Sequence, residues 1–327
     1  MILVTGGAGF IGSNLVARLV EEGRRVVVSD WLGTGDKWRN LGRHGLDELV
    51  APEGLAELLE GRGREVELVY HLGAITSTTE TDADLLAETN LRLSQRIWRW
   101  CAQREVPLVY ASSAATYGDG SAGFRDDDTP EALARLKPLN AYAWSKHAFD
   151  LWAAREAAEG RPAPPSWHGL KLFNVYGPNE YHKGEMRSLV AKAYPAAVCG
   201  EPVRLFRSHR PDYPDGGQRR DFVYVADCVN VLTWIARAHP PSGIYNVGTG
   251  RAQTWLELVG ALYRALGREP AIEWIDIPAP IRDRYQYHTE ADLTKLRAAG
   301  YDREFAPVER GVREYVERHL ATADPYR

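Results

Sequence analysis

The chain has 327 residues, 44% of them hydrophobic, which is enough for one large or two modest domains with their own cores. A formal charge of -4 gives no reason to expect nucleic acid or an anionic membrane surface as a partner. No apolar stretch approaches the ~20 residues of a membrane span. Because Met1-Ile2-Leu3 already opens a strand, no signal peptide is expected and a cytoplasmic location is. Cys101, Cys199 and Cys228 are odd in number and lack ligand spacing, so neither a disulfide framework nor a metal site is expected.

In chain order, Ile2, Leu3 and Val4 form a short β-rich run, and residues 13–22 carry Leu15, Val16, Leu19 and Val20 at the spacing of a helix face. Gly6, Gly9 and Gly12 therefore fall on a strand-to-helix turn. There they can supply a tight bend, room for a pyrophosphate and close helix-strand packing, with the helix N-terminus facing the anion. The spacing is GxxGxxG rather than GxGxxG. Together with Asp30, at the end of the next apolar run Val26-Val27-Val28, it points to a dinucleotide site rather than an ordinary turn.

Apolar runs at 68–70 and 108–111 alternate with helical patterns over 82–104 and 141–156. That alternation predicts an α/β, Rossmann-like, doubly wound parallel sheet over residues 1–170. Past Leu170-Phe173, helical patterns near 186–198, 226–238, 254–266 and 308–320 interleave with short strands at 203–206 and 244–247. Residues 171–327 are thus expected to form mainly a smaller substrate-binding α/β region, with some segments returning to the first domain. Segments 160–167 and 209–218, rich in Pro, Gly and charge, are read as loops.

Tyr142 and Lys146 are four apart and share a helix face. A phenol titrating at about 10 is a poor base at neutral pH. A neighbouring ammonium and a positive nicotinamide favour phenolate, so Lys146 is expected to lower the tyrosine's pKa and to hold the nicotinamide ribose. Ser113 follows a buried strand, where loops leave the sheet's C-terminal edge, and can donate to a reacting oxygen. Alone, a Tyr and a Lys would read as a solvated helix face; joined to the glycine turn in this order, they read as a catalytic pair.

These residues resemble the extended short-chain dehydrogenase/reductases that modify nucleotide sugars, and the resemblance runs nearly end to end. Within that family, several stretches look like the ADP-L-glycero-D-manno-heptose 6-epimerases of lipopolysaccharide inner-core synthesis. They are Ser77-Thr78-Thr79-Glu80, Phe173 to Glu180, His182-Lys183-Gly184, Arg220 to Val225, Arg284-Tyr285-Gln286 and Leu296 to Tyr301. The resemblance implies inversion at C6 of an ADP-heptose through a 6-keto intermediate, with Tyr142, Lys183, Ser113 and Lys146 as catalytic residues. For Lys183, a second acid/base and a cation neutralising the diphosphate remain two open readings. Implied cofactor contacts are Gly6, Gly9, Phe10, Ile11, Gly12, Asp30, Trp31, Lys37, Leu72, Gly73, Ala74, Thr76, Asn90, Lys146, Val175 and Lys183. Implied substrate contacts are Ser113, Asn174, Glu185, Lys192, Leu205, Phe206, Arg207, Ser208, Arg220 and Tyr285.

Asp30 favours NAD and Lys37 favours NADP; NADP is the expected cofactor, with NAD not excluded. The resemblance also implies a homo-oligomer, often a pentamer. A UDP-sugar 4-epimerase would share the glycine turn, Ser113, Tyr142 and Lys146. A 4,6-dehydratase would need an Asp-Glu pair where this chain has Ala114 and Ala115, and a cofactor-sensing protein would tend to have lost the Tyr/Lys pair.

Overall fold

Short runs of branched apolar residues, covered on both faces, build the central layer. The structure is a computed structural model that describes residues 1–282 and 285–327, so Arg284 lies outside the described residues. β1 (Ile2–Thr5) runs into α1 (Phe10–Glu21), followed by β2 (Val26–Ser29), β3 (Glu48–Val50), α2 (Leu55–Arg62) and β4 (Leu68–His71). Next, α3 (Ala83–Leu86) and α4 (Leu93–Arg104) flank a π turn over Ala87–Arg92. They lead to β5 (Leu108–Ser113), α5 (Pro130–Leu133), α6 (Ala141–Ala158) and β6 (Trp167–Leu172). Downstream are β7 (Asn174–Tyr176), α7 (Leu189–Cys199), β8 (Val203–Phe206), β9 (Arg219–Tyr224), α8 (Val225–Ala238) and β10 (Gly243–Val247). The chain continues through β11 (Ala252–Thr254), α9 (Trp255–Leu266), β12 (Ile272–Ile275), α10 (Ala279–Arg282), α11 (Thr294–Ala298) and α12 (Val308–Tyr315).

Seven parallel strands in the order β3-β2-β1-β4-β5-β6-β10 form one sheet. Alternate residues of each strand feed opposite faces. Ile2, Val4 and Val28 pack with Leu15, Val16, Leu232 and Ile235 on one side. Leu3, Val27 and Val69 pack with Ile97, Trp98, Tyr110 and Phe149 on the other. The strand order reverses between β1 and β4, which opens a crevice at their C-terminal ends. A second, smaller core gathers Val190, Phe222, Leu258, Leu262, Val312 and Tyr315 from α7, β9, α9 and α12.

Several elements differ from the sequence reading. The helix read from 13 begins at Phe10, with Gly9 at its N-cap. The single helix read over 82–104 is divided by the π turn. There Asn90 is drawn inward, bonding both the N–H and the carbonyl of Ile75 at 2.9 Å and the Ser145 hydroxyl at 3.0 Å. The helix read from 186 starts at Leu189, because Ser188 caps it and Tyr181–Met186 form a separate 3₁₀ turn. The segments after 171 that return to the first layer are β10, which closes the large sheet beside β6, and α8, which packs on α1.

Candidate active site

The glycine turn folds as it does because nothing larger fits. Gly6 has φ +69°, and a Cβ there would sit 2.5 Å from the Gly73 amide nitrogen. A Cβ on Gly12 would overlap the Gly6 carbonyl oxygen. Gly9 offers no side-chain cap, so the first-turn amides of α1 stay open toward the crevice. That is a fitting cradle for a pyrophosphate. Asp30, at the end of β2, accepts from the Ala8 amide at 2.9 Å through one oxygen and from Lys37 Nζ at 2.7 Å through the other. The two residues that argue oppositely about the cofactor are therefore one ion pair.

Gly6, Gly9, Phe10, Ile11, Gly12, Asp30, Lys37, Leu72, Gly73, Ala74, Thr76 and Val175 line a single cavity of about 520 Å³ with Ser113, Tyr142, Lys146 and Lys183. Two expected cofactor residues do not reach its wall. Trp31 is half exposed, its indole N–H 3.0 Å from the Glu53 carboxylate. Asn90 is buried, its amide bonded to Ile75 in the loop after β4 and to Ser145 on α6.

α6 begins where Asn140 accepts from the Ala143 amide at 2.8 Å, and it presents Tyr142 and Lys146 to the cavity one turn apart. Burial raises the Tyr142 phenol above its ordinary value, the Ser113 hydroxyl draws it down, and Asp150 adds to the rise. Lys146 is not among the groups that move the phenol; its Nζ donates to the Ala111 carbonyl at 2.9 Å. Burial brings the Lys146 ammonium down to about 8 against the opposing pull of Asp150. Ser113 Oγ accepts from the Ala115 amide at 3.2 Å, which leaves its proton available. Beneath them Asp150 is wholly buried, held by Lys171 Nζ at 2.9 Å, Ser112 at 2.6 Å and Tyr110 at 3.2 Å.

Lys183 stands in the turn Tyr181–Met186, 5.4 Å over the Phe10 ring. Burial lowers its pKa and Glu180 opposes that. The buried Glu180 carboxyl is itself fixed by Ser188 Oγ at 2.6 Å, Tyr315 at 3.1 Å and the Gly177 amide at 3.3 Å. Next to Lys183, His182 is brought down to about 4 by burial and by Lys37 and Lys183, so its neutral Nδ1 can accept from Asn40 at 3.2 Å.

Of the expected substrate residues, Ser113, Asn174, Lys192, Leu205, Phe206 and Tyr285 line the cavity. Four do not. Glu185 is exposed and only lends its carbonyl to Lys192 Nζ at 3.1 Å. Arg207 turns to Asp215 at 3.7 Å, and Ser208 ties its amide to the same carboxylate at 2.8 Å. Arg220 is buried behind the wall, its guanidinium 5.3 Å over Tyr285 and 5.9 Å over Trp255, with bonds to the Arg219 and Gln286 carbonyls. Sequence reasoning missed His182 beside Lys183, and Arg187, Arg204, Phe222, Trp255 and Leu258, which also line the cavity. Trp255 and Leu258 open α9 and read as ordinary helix-face residues; nothing local marks them.

A Rossmann-type sheet, a glycine cradle and a Ser/Tyr/Lys group in one cavity define a nicotinamide-dependent nucleotide-sugar enzyme of the short-chain dehydrogenase/reductase kind. The chain belongs to the NAD dependent epimerase/dehydratase family, which it matches over residues 2–248. It is 51% identical to an ADP-L-glycero-D-manno-heptose-6-epimerase from Nitratidesulfovibrio vulgaris, covering all of both chains. It also resembles the crystal structure of ADP-L-glycero-D-manno-heptose-6-epimerase from Helicobacter pylori, with TM-score 0.76 and 27% identity over 97% of this chain and 95% of that one. A UDP-glucose 4-epimerase from Thermus thermophilus, in complex with NAD, gives TM-score 0.78 and 30% identity over 98% and 99%. No helix among the described residues is long and apolar enough to cross a membrane.

Proposed function

We propose that the chain converts ADP-D-glycero-D-manno-heptose to ADP-L-glycero-D-manno-heptose, the sugar nucleotide of lipopolysaccharide inner-core synthesis, by transient oxidation at C6. The observation that carries this reading is that two ionisable groups from separate segments, Tyr142 on α6 and Lys183 on the 181–186 turn, line the same cavity. Inversion of a secondary alcohol needs proton exchange on both sides of one carbon, and a single base would be badly placed for one epimer. The bound nicotinamide would supply the hydride acceptor and donor at C6.

Tyr142 takes the hydroxyl proton of one epimer while Ser113 donates to the developing carbonyl oxygen. Lys146 holds the ribose side of the cofactor and offsets the cost of a buried phenolate. Lys183, kept easier to deprotonate by its burial, gives a proton of its own to the oxygen when hydride returns to the other face; Tyr142 then releases the proton it took, and Lys183 regains one, through solvent. Asn174 offers its amide to sugar hydroxyls, and Lys192 faces the diphosphate.

For the cofactor we favour NADP. Lys37 Nζ sits on Asp30 and the Trp31 carbonyl, at 2.7 and 2.6 Å, so its ammonium offsets the Asp30 charge that would repel a 2′-phosphate, and it would be the residue to hold that phosphate. Titration of the protein with each dinucleotide tests this, and tighter binding of NAD overturns it. Exposed Trp38, Trp144 and Leu85 offer apolar surface for a homo-oligomer. The deciding experiment is incubation with ADP-D-glycero-D-manno-heptose while C6 configuration is followed by NMR. Retained configuration together with turnover of a UDP-hexose would replace the heptose reading with a 4-epimerase.

A further inference from the structure

Residues 322–327 cross the back of the site and touch three bodies at once. Toward the cofactor loop, Arg39 lies 4.4 Å over the Tyr326 ring, Arg43 donates to the Tyr326 carbonyl at 2.9 Å and pairs with Asp324, and His44 Nε2 lies 3.1 Å from the Arg327 main-chain oxygen. Toward the Lys183 turn, Tyr181 packs edge-on against Tyr326 at 5.2 Å, and its hydroxyl donates to the Pro325 carbonyl at 3.0 Å. The Arg327 amide donates to Asn179 Oδ1 at 2.9 Å. Toward α1, the Arg327 guanidinium holds both Glu21 oxygens at 3.0 and 2.8 Å.

Those anchors flank working residues. Arg39 and Arg43 bracket Asn40, and Lys37 lies two residues before Arg39; Asn179 and Tyr181 immediately precede His182 and Lys183. Asn40 bridges the two segments directly through the Ala8 carbonyl at 2.9 Å, the Asn179 carbonyl at 3.1 Å and His182 at 3.2 Å. Asn179 has φ +71°, the left-handed region that asparagine tolerates better than other side-chain-bearing residues, and Ser13 and the Arg327 amide hold its side-chain amide there.

We propose that Tyr326 and Arg327 are positioning residues: they strap the Lys37 loop to the Lys183 turn and set the depth at which Lys183 enters the cavity. The proposal rests on the reading of Lys183 as a group that works on substrate, but it concerns placement and can be measured without turnover. The Tyr326 ring is the contact that matters, because it packs between Arg39 and Tyr181.

Trace acetylation with acetic anhydride, mapped by mass spectrometry on the full chain, reads the exposure and basicity of each lysine. Tyr326→Ala is expected to raise the rate at Lys183 and Lys37 by about tenfold, the population change given by 1.4 kcal/mol of loosened contacts. Buried Lys171 should stay unlabelled, and Tyr326→Phe should behave as the unaltered chain. Arg327→Pro, which removes the amide that donates to Asn179, serves as a second variant and should raise Lys183 labelling in the same direction. An unchanged Lys183 rate in both variants overturns the proposal, as does Lys171 labelling that rises in parallel, which would mean general loosening. Failure of the epimerase reading leaves these rates untouched, so the two outcomes separate.

Discussion

Lys146→Met tests whether the active-site lysine is held at a cost to stability. In the folded chain its ammonium is brought from 10.5 to about 8 by burial, with 5% of the residue exposed. At about 1.4 kcal/mol for each pH unit, that displacement corresponds to about 3 kcal/mol of destabilisation. The sign follows from proton counts. Below pH 8 both states are protonated and the full penalty acts; between about 8 and 10.5 the unfolded chain binds more protons, so stability rises with pH and the penalty fades. Methionine keeps the volume and removes the charge. It also gives up the bond from Nζ to the Ala111 carbonyl, worth about 1–2 kcal/mol. The variant should therefore be about 1–2 kcal/mol more stable at pH 7 and close to the unaltered chain at pH 9.5. Urea denaturation at the two pH values, without cofactor, measures the difference. A variant less stable at pH 7, or a gain independent of pH, refutes the reasoning.

Tyr142→Phe should remain folded and lose about 100- to 10,000-fold in kcat, the usual scale for a missing general acid/base; unchanged turnover removes it from the mechanism. Lys183→Ala should abolish C6 inversion on ADP-heptose while dinucleotide binding survives in equilibrium titration, and intact turnover would favour a one-base epimerase. Lys171→Met leaves Asp150 wholly buried without its cation and should cost about 3–5 kcal/mol in denaturant unfolding. Adding Asp150→Leu should recover part of that loss, and a single-variant cost under about 1 kcal/mol would show that Ser112 and Tyr110 suffice.

Local chemistry carried the two ends of the site. Gly6 and Gly12 are legible because only a residue without a Cβ fits where Gly73 and the Gly6 carbonyl press in, and Gly9 completes their spacing. Tyr142 and Lys146 are legible because four residues make one helical turn. Between them the reading was weaker. Asn90 reads as a cofactor contact from the resemblance; what its neighbours in sequence do not reveal is that a π turn brings its amide to Ile75 and Ser145 from other elements. Arg220 reads as an anion contact, yet it folds inward against Tyr285 and Trp255.

The amino-acid pattern alone determined the doubly wound sheet, the cradle for a dinucleotide and the tyrosine-lysine pair, because each rests on periodicity or spacing within a few residues. Tertiary structure alone decided that β10 and α8 rejoin the first layer, that Asp30 and Lys37 are one ion pair, and that α9 helps line the cavity. It also decided that residues 325–327 join Arg43 to Asn179 and Tyr181. These depend on contacts between segments far apart in the chain. Such contacts are set by packing and by the need of each buried polar group for a partner, and no run of neighbouring residues encodes that.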